Sequence, residues 1–207
     1  FAQDAAICNL IGIKNLVIHG GGPQIQKKLK SQKIESKFIL GLRVTDEKVI
    51  KIVEDVLLND INPDLVQTIN SFNAIAEPVT ARNKNGILKV KKVKNRDLGF
   101  VADPEEIDID KLDDIINSNK IPVIAPMGLG AKNQVYKINA DTAAGTIAIK
   151  IKAERLLLMT DVPGVKDKNN NHISKLTISE AQKLIDNESS TGCMIPKIAT
   201  CISAVNN

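Results

Sequence analysis

The stretch Asn15–Pro23, NLVIHGGGP, decides how this 207-residue chain is read. Leu16, Val17 and Ile18 predict a short buried strand, and Gly20, Gly21 and Gly22 follow at once. Pro23 then opens a polar helix running to about Lys33, proline being suited to the first helical turn because it lacks an N–H that would find no intrahelical partner there. Consecutive glycines leave room beside the backbone and let N–H groups converge on an anion, while the helix start adds partial positive charge. Strand, glycines and helix start together predict a cradle for phosphate or carboxylate; a plain tight turn fits the same residues.

On the amino-terminal side, Ala2–Ile13 reads as the end of a helix leading into this strand. On the other side, Ile34–Leu40 is an extended piece, and Thr45 or Asp46 caps a helix whose apolar positions Val49, Ile52, Val53, Val56 and Leu57 recur at helical spacing. Asn62 and Pro63 start a further helix with Leu65, Val66 and Ile69 on one side. Between Ala74 and Lys92 the Asn85-Gly86 turn and the run Ile87, Leu88, Val90 predict a hairpin-like insert. Leu112, Ile115 and Ile116 line a helix before a second buried strand, Ile121–Pro126, and its loop with Gly128 and Gly130. Asn139 to about Lys152 is helical, and Leu156–Met159 reads as a third buried strand ending in TDVPG. A turn at Asn169–Asn171, a helix capped by Ser179 and a last helix opening near Pro196 complete the pattern.

Apolar strands alternating with helices predict an α/β fold, a three-layer α/β/α sandwich around a largely parallel sheet, with ligands beyond the carboxyl ends of the strands. The glycine loop, the Pro126-Met127-Gly128 loop and Thr160–Gly164 are all expected at that edge. Composition is that of a globular protein, 43% hydrophobic and 25% charged, and a net charge of +4 spread along the chain marks no dedicated polyanion surface. Aromatic residues make up only 2%, too few for stacking on nucleic acid, and no apolar run approaches membrane-spanning length. The start FAQDAAI lacks a signal-type core, and Cys8, Cys193 and Cys201 have no metal-ligand spacing, so reduced thiols in a cytoplasm are expected.

Three side chains stand out near the expected edge. Arg43 follows Gly41-Leu42, where its planar guanidinium would clamp a carboxylate; a surface arginine pairing with Asp46 or Glu47 is the plainer reading. Asp141, two residues after Asn139, suits a first helical turn and is explained equally by capping. Lys197 follows Pro196 in a first turn, where the helix dipole disfavours a cation unless an anion is also present. HGGG also occurs as an oxyanion loop in esterases, but the chain has no G-x-S-x-G elbow, and neither Walker nor G-x-G-x-x-G patterns occur.

HGGGPQI, GLRVTD, INAD, LLLMTDVPGV and MIPK occur in the order and approximate spacing of the N-acetylglutamate kinases of the amino-acid kinase fold, which the chain resembles over essentially its whole length. The resemblance implies ATP-dependent phosphorylation of the side-chain carboxylate of N-acetyl-L-glutamate, the second step of arginine biosynthesis, with Mg²⁺ arriving with the nucleotide. It implies that Gly21 and Gly22 hold substrate and phosphoryl oxygens, that Arg43 clamps the α-carboxylate, and that Lys137 and Asn139 lie against the substrate. It further implies that Lys197 stabilises transition-state charge, that Asp141 orients the lysines, and that Gly20, Thr160, Asp161 and Gly164 border the nucleotide. A single domain is expected, with its substrate side at about 1–137 and its nucleotide side at about 138–207, working as a homo-oligomer.

The sequence departs from the family in four places. A strand with a K-x-G-G motif is expected before Phe1, and a further strand after Asn207. Lys137 stands where Asn is usual, the segment Glu77–Asn83 replaces a glycine-rich loop, and Cys193 replaces a Gly before Met194. These departures keep open a second reading, a non-catalytic family member that binds substrate or a partner subunit.

Overall fold

In the computed structural model the described residues are 1–39, 41–84, 86–93, 97–161, 164–167, 171–186 and 194–207. The chain opens with α1 (Ala2–Leu10), β1 (Val17–Ile18) and α2 (Gly22–Ser31), then a small antiparallel pair, β2 (Phe38–Ile39) and β3 (Leu42–Arg43). Next come α3 (Glu47–Asp55), a π-helical turn (Val56–Ile61) and α4 (Asn62–Asn70), then β4 (Ala76–Val79), β5 (Leu88–Lys92), β6 (Ala102–Ile107) and α5 (Ile109–Asn117). β7 (Ile121–Ile124), β8 (Met127–Leu129), β9 (Val135–Lys137), α6 (Ala140–Lys150), α7 (Ile178–Asp186) and α8 (Met194–Asn206) follow. These residues form two units, Phe1–Ala143 and Ala144–Asn207.

In the first unit β1, β7 and β4 make a parallel sheet in that spatial order, with Ile18, Ile124 and Val79 level at one end. β7 is buried from Ile121 to Ile124, so both of its faces are covered, as its unbroken apolar run requires. Val17, Ala76, Ile121 and Val123 pack with Ala5 and Ala6 of α1 and Ile69 of α4 in one core cluster. A second cluster joins Ile25 and Leu29 of α2 to Val49, Ile50, Ile52, Val53, Val56 and Leu57, so the helical spacing read from sequence is the spacing that is buried. Each such aliphatic side chain contributes about 1.5–3 kcal/mol on burial.

Asp46, rather than Thr45, caps α3: its carboxylate accepts from the amides of Lys48 and Val49, both at 2.9 Å. Replacing such a cap with alanine costs about 1 kcal/mol. Thr45 is fully buried, its hydroxyl donating to Arg43 O at 2.9 Å.

Four sequence expectations change here. Ala74–Lys92 is not a hairpin insert. β4 is an edge strand of the parallel sheet, and β5 pairs instead with β6 and β8 in a second sheet ordered β6-β5-β8-β9. Pro78 hides this strand from pattern reading, yet an edge strand tolerates a residue with no N–H to donate. The Met127-Gly128 segment is not a loop but β8, paired with β9. Leu156–Met159 belongs to no strand and has no ladder partner among the described residues, with Leu157 77% and Met159 70% exposed. An apolar run states what a segment would bury, whereas a strand also needs a ladder partner, and none of the described strands supplies one. Finally, α7 is capped by Thr177, not Ser179: Thr177 Oγ1 accepts from the Glu180 amide at 3.3 Å, and Glu180 reaches back to the Thr177 amide at 2.8 Å. The turn expected at Asn169–Asn171 lies largely outside the described residues, as does Cys193, while Cys8 and Cys201 form no disulfide. No helix among the described residues is long and apolar enough to cross a membrane.

Candidate active site

β1 ends at Ile18, and His19 continues its ladder by donating its amide to Ile124 O at 3.3 Å. The glycines then leave the carboxyl edge of the sheet, beside the chain leaving β7 at Ala125 and β4 at Thr80. α2 starts at Gly22 with Pro23 in its first turn, and Gly21 is its N-terminal cap without a side chain to satisfy the leading amides. The Gly20 and Gly21 amides meet no acceptor among the described residues. A Cβ built on Gly20 or Gly22 meets nothing within 4 Å, so the backbone there is open to a bound group. At Gly21 a Cβ would point the other way, 2.7 Å from Ile61 Cδ1 and Leu57 Cδ2 of the π-helical turn. The middle glycine therefore packs closely on the tips of Ile61 and Leu57, and its free Cβ direction is not the one that opens toward an anion.

Arg43 lies against this loop. Although on a two-residue strand it is only 5% exposed, and its guanidinium donates to Gln26 Oε1 at 2.8 Å, to Ser36 Oγ and to Gly22 O at 3.5 Å. The Phe38 ring sits 4.7 Å from its Cζ. The plainer reading of Arg43 fails, because Asp46 caps α3 and Glu47 pairs with Lys51. Every partner of Arg43 is neutral, so a buried positive charge is left without a carboxylate among the described residues. Burial pulls its pKa below the usual arginine value, but a guanidinium stays charged.

Lys137 ends β9 opposite Met127. Burial pushes its pKa down to about 8, and the Arg43 charge adds to the effect. It makes no ion pair with a described residue. The two cations thus lie close enough to repel, and Arg43 sits against a glycine loop with unpaired amides, an arrangement that an anion relieves. Asn139 caps α6, its Oδ1 accepting from the Thr142 amide at 3.0 Å, and Asp141 stands in the same first turn.

In the second unit Lys197 is half-buried in the first turn of α8, which holds no acidic residue. Thr160 and Asp161 are exposed outside any helix or strand. Gly164 has φ +135°, and a Cβ there would come within 2.5 Å of His172 Nε2, which glycine alone accommodates. Sequence reading assigned no role to His19 or Asn62. His19 is 6% and Asn62 1% exposed, and Asn62 Nδ2 lies 3.1 Å from His19 Nε2 and 2.9 Å from Val123 O. The signal was present, since Asn62 occupies the first place of the apolar stripe continued by Leu65, Val66 and Ile69.

The carboxyl edge of the parallel sheet thus carries open glycine amides beside a buried arginine, in an α/β domain, and such an edge offers donors to phosphate or carboxylate groups. The chain belongs to the amino acid kinase family, whose model matches residues 1–207. It is 44% identical over 207 residues to the acetylglutamate kinase of Pelagibacter ubique (strain HTCC1062), covering 100% of this chain and 71% of that protein. It is likewise 44% identical over 218 residues to the acetylglutamate kinase of Bartonella henselae, covering 100% and 72%. The crystal structure of smu.665 from Streptococcus mutans UA159 superposes with a TM-score of 0.93 at 27% identity, covering 100% of this chain and 83% of that one. The expected kinship with N-acetylglutamate kinases and the α/β fold with a parallel sheet both stand.

Proposed function

We propose that the protein transfers the γ-phosphoryl group of ATP to the side-chain carboxylate of N-acetyl-L-glutamate, in the cytoplasm and as a homo-oligomer, in the second step of arginine biosynthesis. The observation that carries this reading is Arg43, a buried cation with neutral partners only, set against the start of α2. In-line phosphoryl transfer needs alignment and charge neutralisation more than covalent help. Arg43 and Lys137 hold the α-carboxylate, and Asn139 lies beside the substrate. The Gly21 and Gly22 amides take oxygens of the acceptor and of the transferring group. Gly20, Thr160, Asp161 and Gly164 border the nucleotide, whose phosphates bring Mg²⁺. Lys197 meets the charge that develops on transfer, and Asp141 orients the lysines around it.

A coupled ATP-consumption assay with N-acetylglutamate tests the reaction, and substrate binding without turnover would favour the non-catalytic reading. Arg43→Lys keeps the charge but loses the planar fork. The KM for N-acetylglutamate is expected to rise about tenfold with the KM for ATP unchanged. An equal change in both constants would make Arg43 structural.

Lys137 adds a pH signature. Below its pKa of about 8 the ammonium attracts a carboxylate, and above it the neutral amine does not. The kcat/KM for N-acetylglutamate is therefore expected to fall above pH 8, and this limb should vanish in Lys137→Asn. Stability moves the opposite way. The unfolded chain, with a lysine pKa of 10.5, binds more protons than the folded one between about 8 and 10.5, so this residue destabilises the fold fully below pH 8 and is relieved as pH rises through that window. Thermal unfolding at pH 7 and pH 10 in wild type and Lys137→Asn isolates this contribution.

A further inference from the structure

The His19 ring and the Asn62 amide form a chain of contacts that the proposed reaction leaves unused. His19 Nδ1 lies 2.9 Å from Gly20 O. A carbonyl only accepts, so Nδ1 carries the proton and donates it. Asn62 Nδ2 lies 2.9 Å from Val123 O, another pure acceptor, so this atom is the amide nitrogen and not the oxygen. Its second hydrogen then points to His19 Nε2 at 3.1 Å, which must offer a lone pair. A proton on Nε2 would face a donor, so the contacts admit only the neutral ring with Nδ1–H. Burial supports this by lowering the His19 pKa, although the bond to Gly20 O opposes the effect.

The consequence falls on the glycine loop. No peptide bond in the described chain is cis, and in a trans peptide the C=O and the following N–H point in opposite directions. Holding Gly20 O on the buried imidazole therefore turns the Gly21 N–H away from the interior, and that N–H meets no acceptor among the described residues. Asn62 Oδ1, by contrast, is buried and unbonded. An apolar side chain at position 62 would avoid this orphan oxygen, so the site retains the amide for what its nitrogen donates.

We propose that Asn62 and His19 are positioning residues, a relay in which Asn62 fixes the imidazole as its Nδ1–H tautomer and the imidazole aims the Gly21 amide at the bound anion. This rests on the reading of the Gly21 amide as part of the kinase site. The bond to Gly20 O is the link that matters, which sets an order among substitutions. In His19→Asn the side-chain amide nitrogen takes the place of Nδ1 and still donates to Gly20 O. His19→Gln reaches the place of Nε2 and does not. The expected result is kcat within about fivefold of wild type for Asn, and a loss of several tens-fold for Gln, short of the roughly hundredfold that a 1 Å misplacement can cost. A packing role predicts the reverse, since Gln better fills the volume. Asn62→Leu should lose several tens-fold in kcat, with some loss of thermal stability because Val123 O and His19 Nε2 lose their donor.

Side-chain ¹⁵N NMR reads the tautomer directly, with His172→Gln leaving His19 as the one imidazole. Nδ1–H with a bare Nε2 is expected in otherwise wild-type protein, with a mixture of tautomers after Asn62→Leu. An Nε2–H ring overturns the relay whatever the activity. In an active protein, equal kcat for His19→Asn and His19→Gln overturns it too. If the wild type turns over no N-acetylglutamate, the reaction assigned above fails, and the relay is still decided by the tautomer and its response to Asn62→Leu.

Discussion

Gly21→Val is expected to lose at least about a hundredfold in kcat/KM for N-acetylglutamate while keeping a native circular dichroism spectrum and cooperative unfolding. A Cβ at this position starts 2.7 Å from Ile61 Cδ1 and Leu57 Cδ2, where ordinary contact begins near 3.4 Å. Leu57 is 1% exposed within a packed cluster and has little freedom to withdraw. The γ-methyls of valine widen the conflict, so the loop lifts from the π-helical turn and carries its amides with it. The fold survives because Ile25 and Leu29 still anchor α2 and the β1–β7 ladder is untouched. Gly20→Ala and Gly22→Ala supply the contrast. Neither Cβ meets protein within 4 Å, so any loss of activity there reports a bound group rather than a clash. Wild-type kcat/KM in Gly21→Val would remove the loop from the site.

The elements that position this loop were legible because their signals are local. NLVIHGGGP announces strand, glycines and helix within nine residues, and the stripe from Val49 to Leu57 is buried as its spacing predicts. What stayed hidden depends on partners distant in sequence. β4 carries Pro78 and joins the sheet by pairing with β7, a relation that composition cannot express. Leu156–Met159 misled for the same reason, since a strand-like run is not yet a strand. At the site, Arg43 remained ambiguous until Asp46 and Glu47 were seen to be engaged elsewhere. The contact between Asn62 and His19 spans 43 residues, and only the folded chain brings the two polar groups together.

Lys197→Ala is expected to lower kcat by about a hundredfold or more, as removal of one preorganised charge contact does. Lys197 lies in the first turn of α8, and that turn itself holds no acidic residue. An ammonium beside the positive end of a helix costs roughly 0.3–1 kcal/mol. A γ-phosphoryl group brought close reverses that sign, because both the helix amides and the ammonium then face negative charge. As charge builds on the transferring group and its bridging oxygen, the cation stabilises the transition state more than the bound ground state. The loss should therefore appear in kcat. N-acetylglutamate affinity, followed by calorimetry, should hold, since Arg43 and the glycine loop carry that ligand in this reading. Thermal unfolding followed beside kcat separates the two roles, since a catalytic charge loses far more in kcat than in stability. Lys197→Arg should recover part of the rate, its charge being kept but displaced. An active protein in which Lys197→Ala matches the wild type would leave the reaction in place and move its central cation elsewhere.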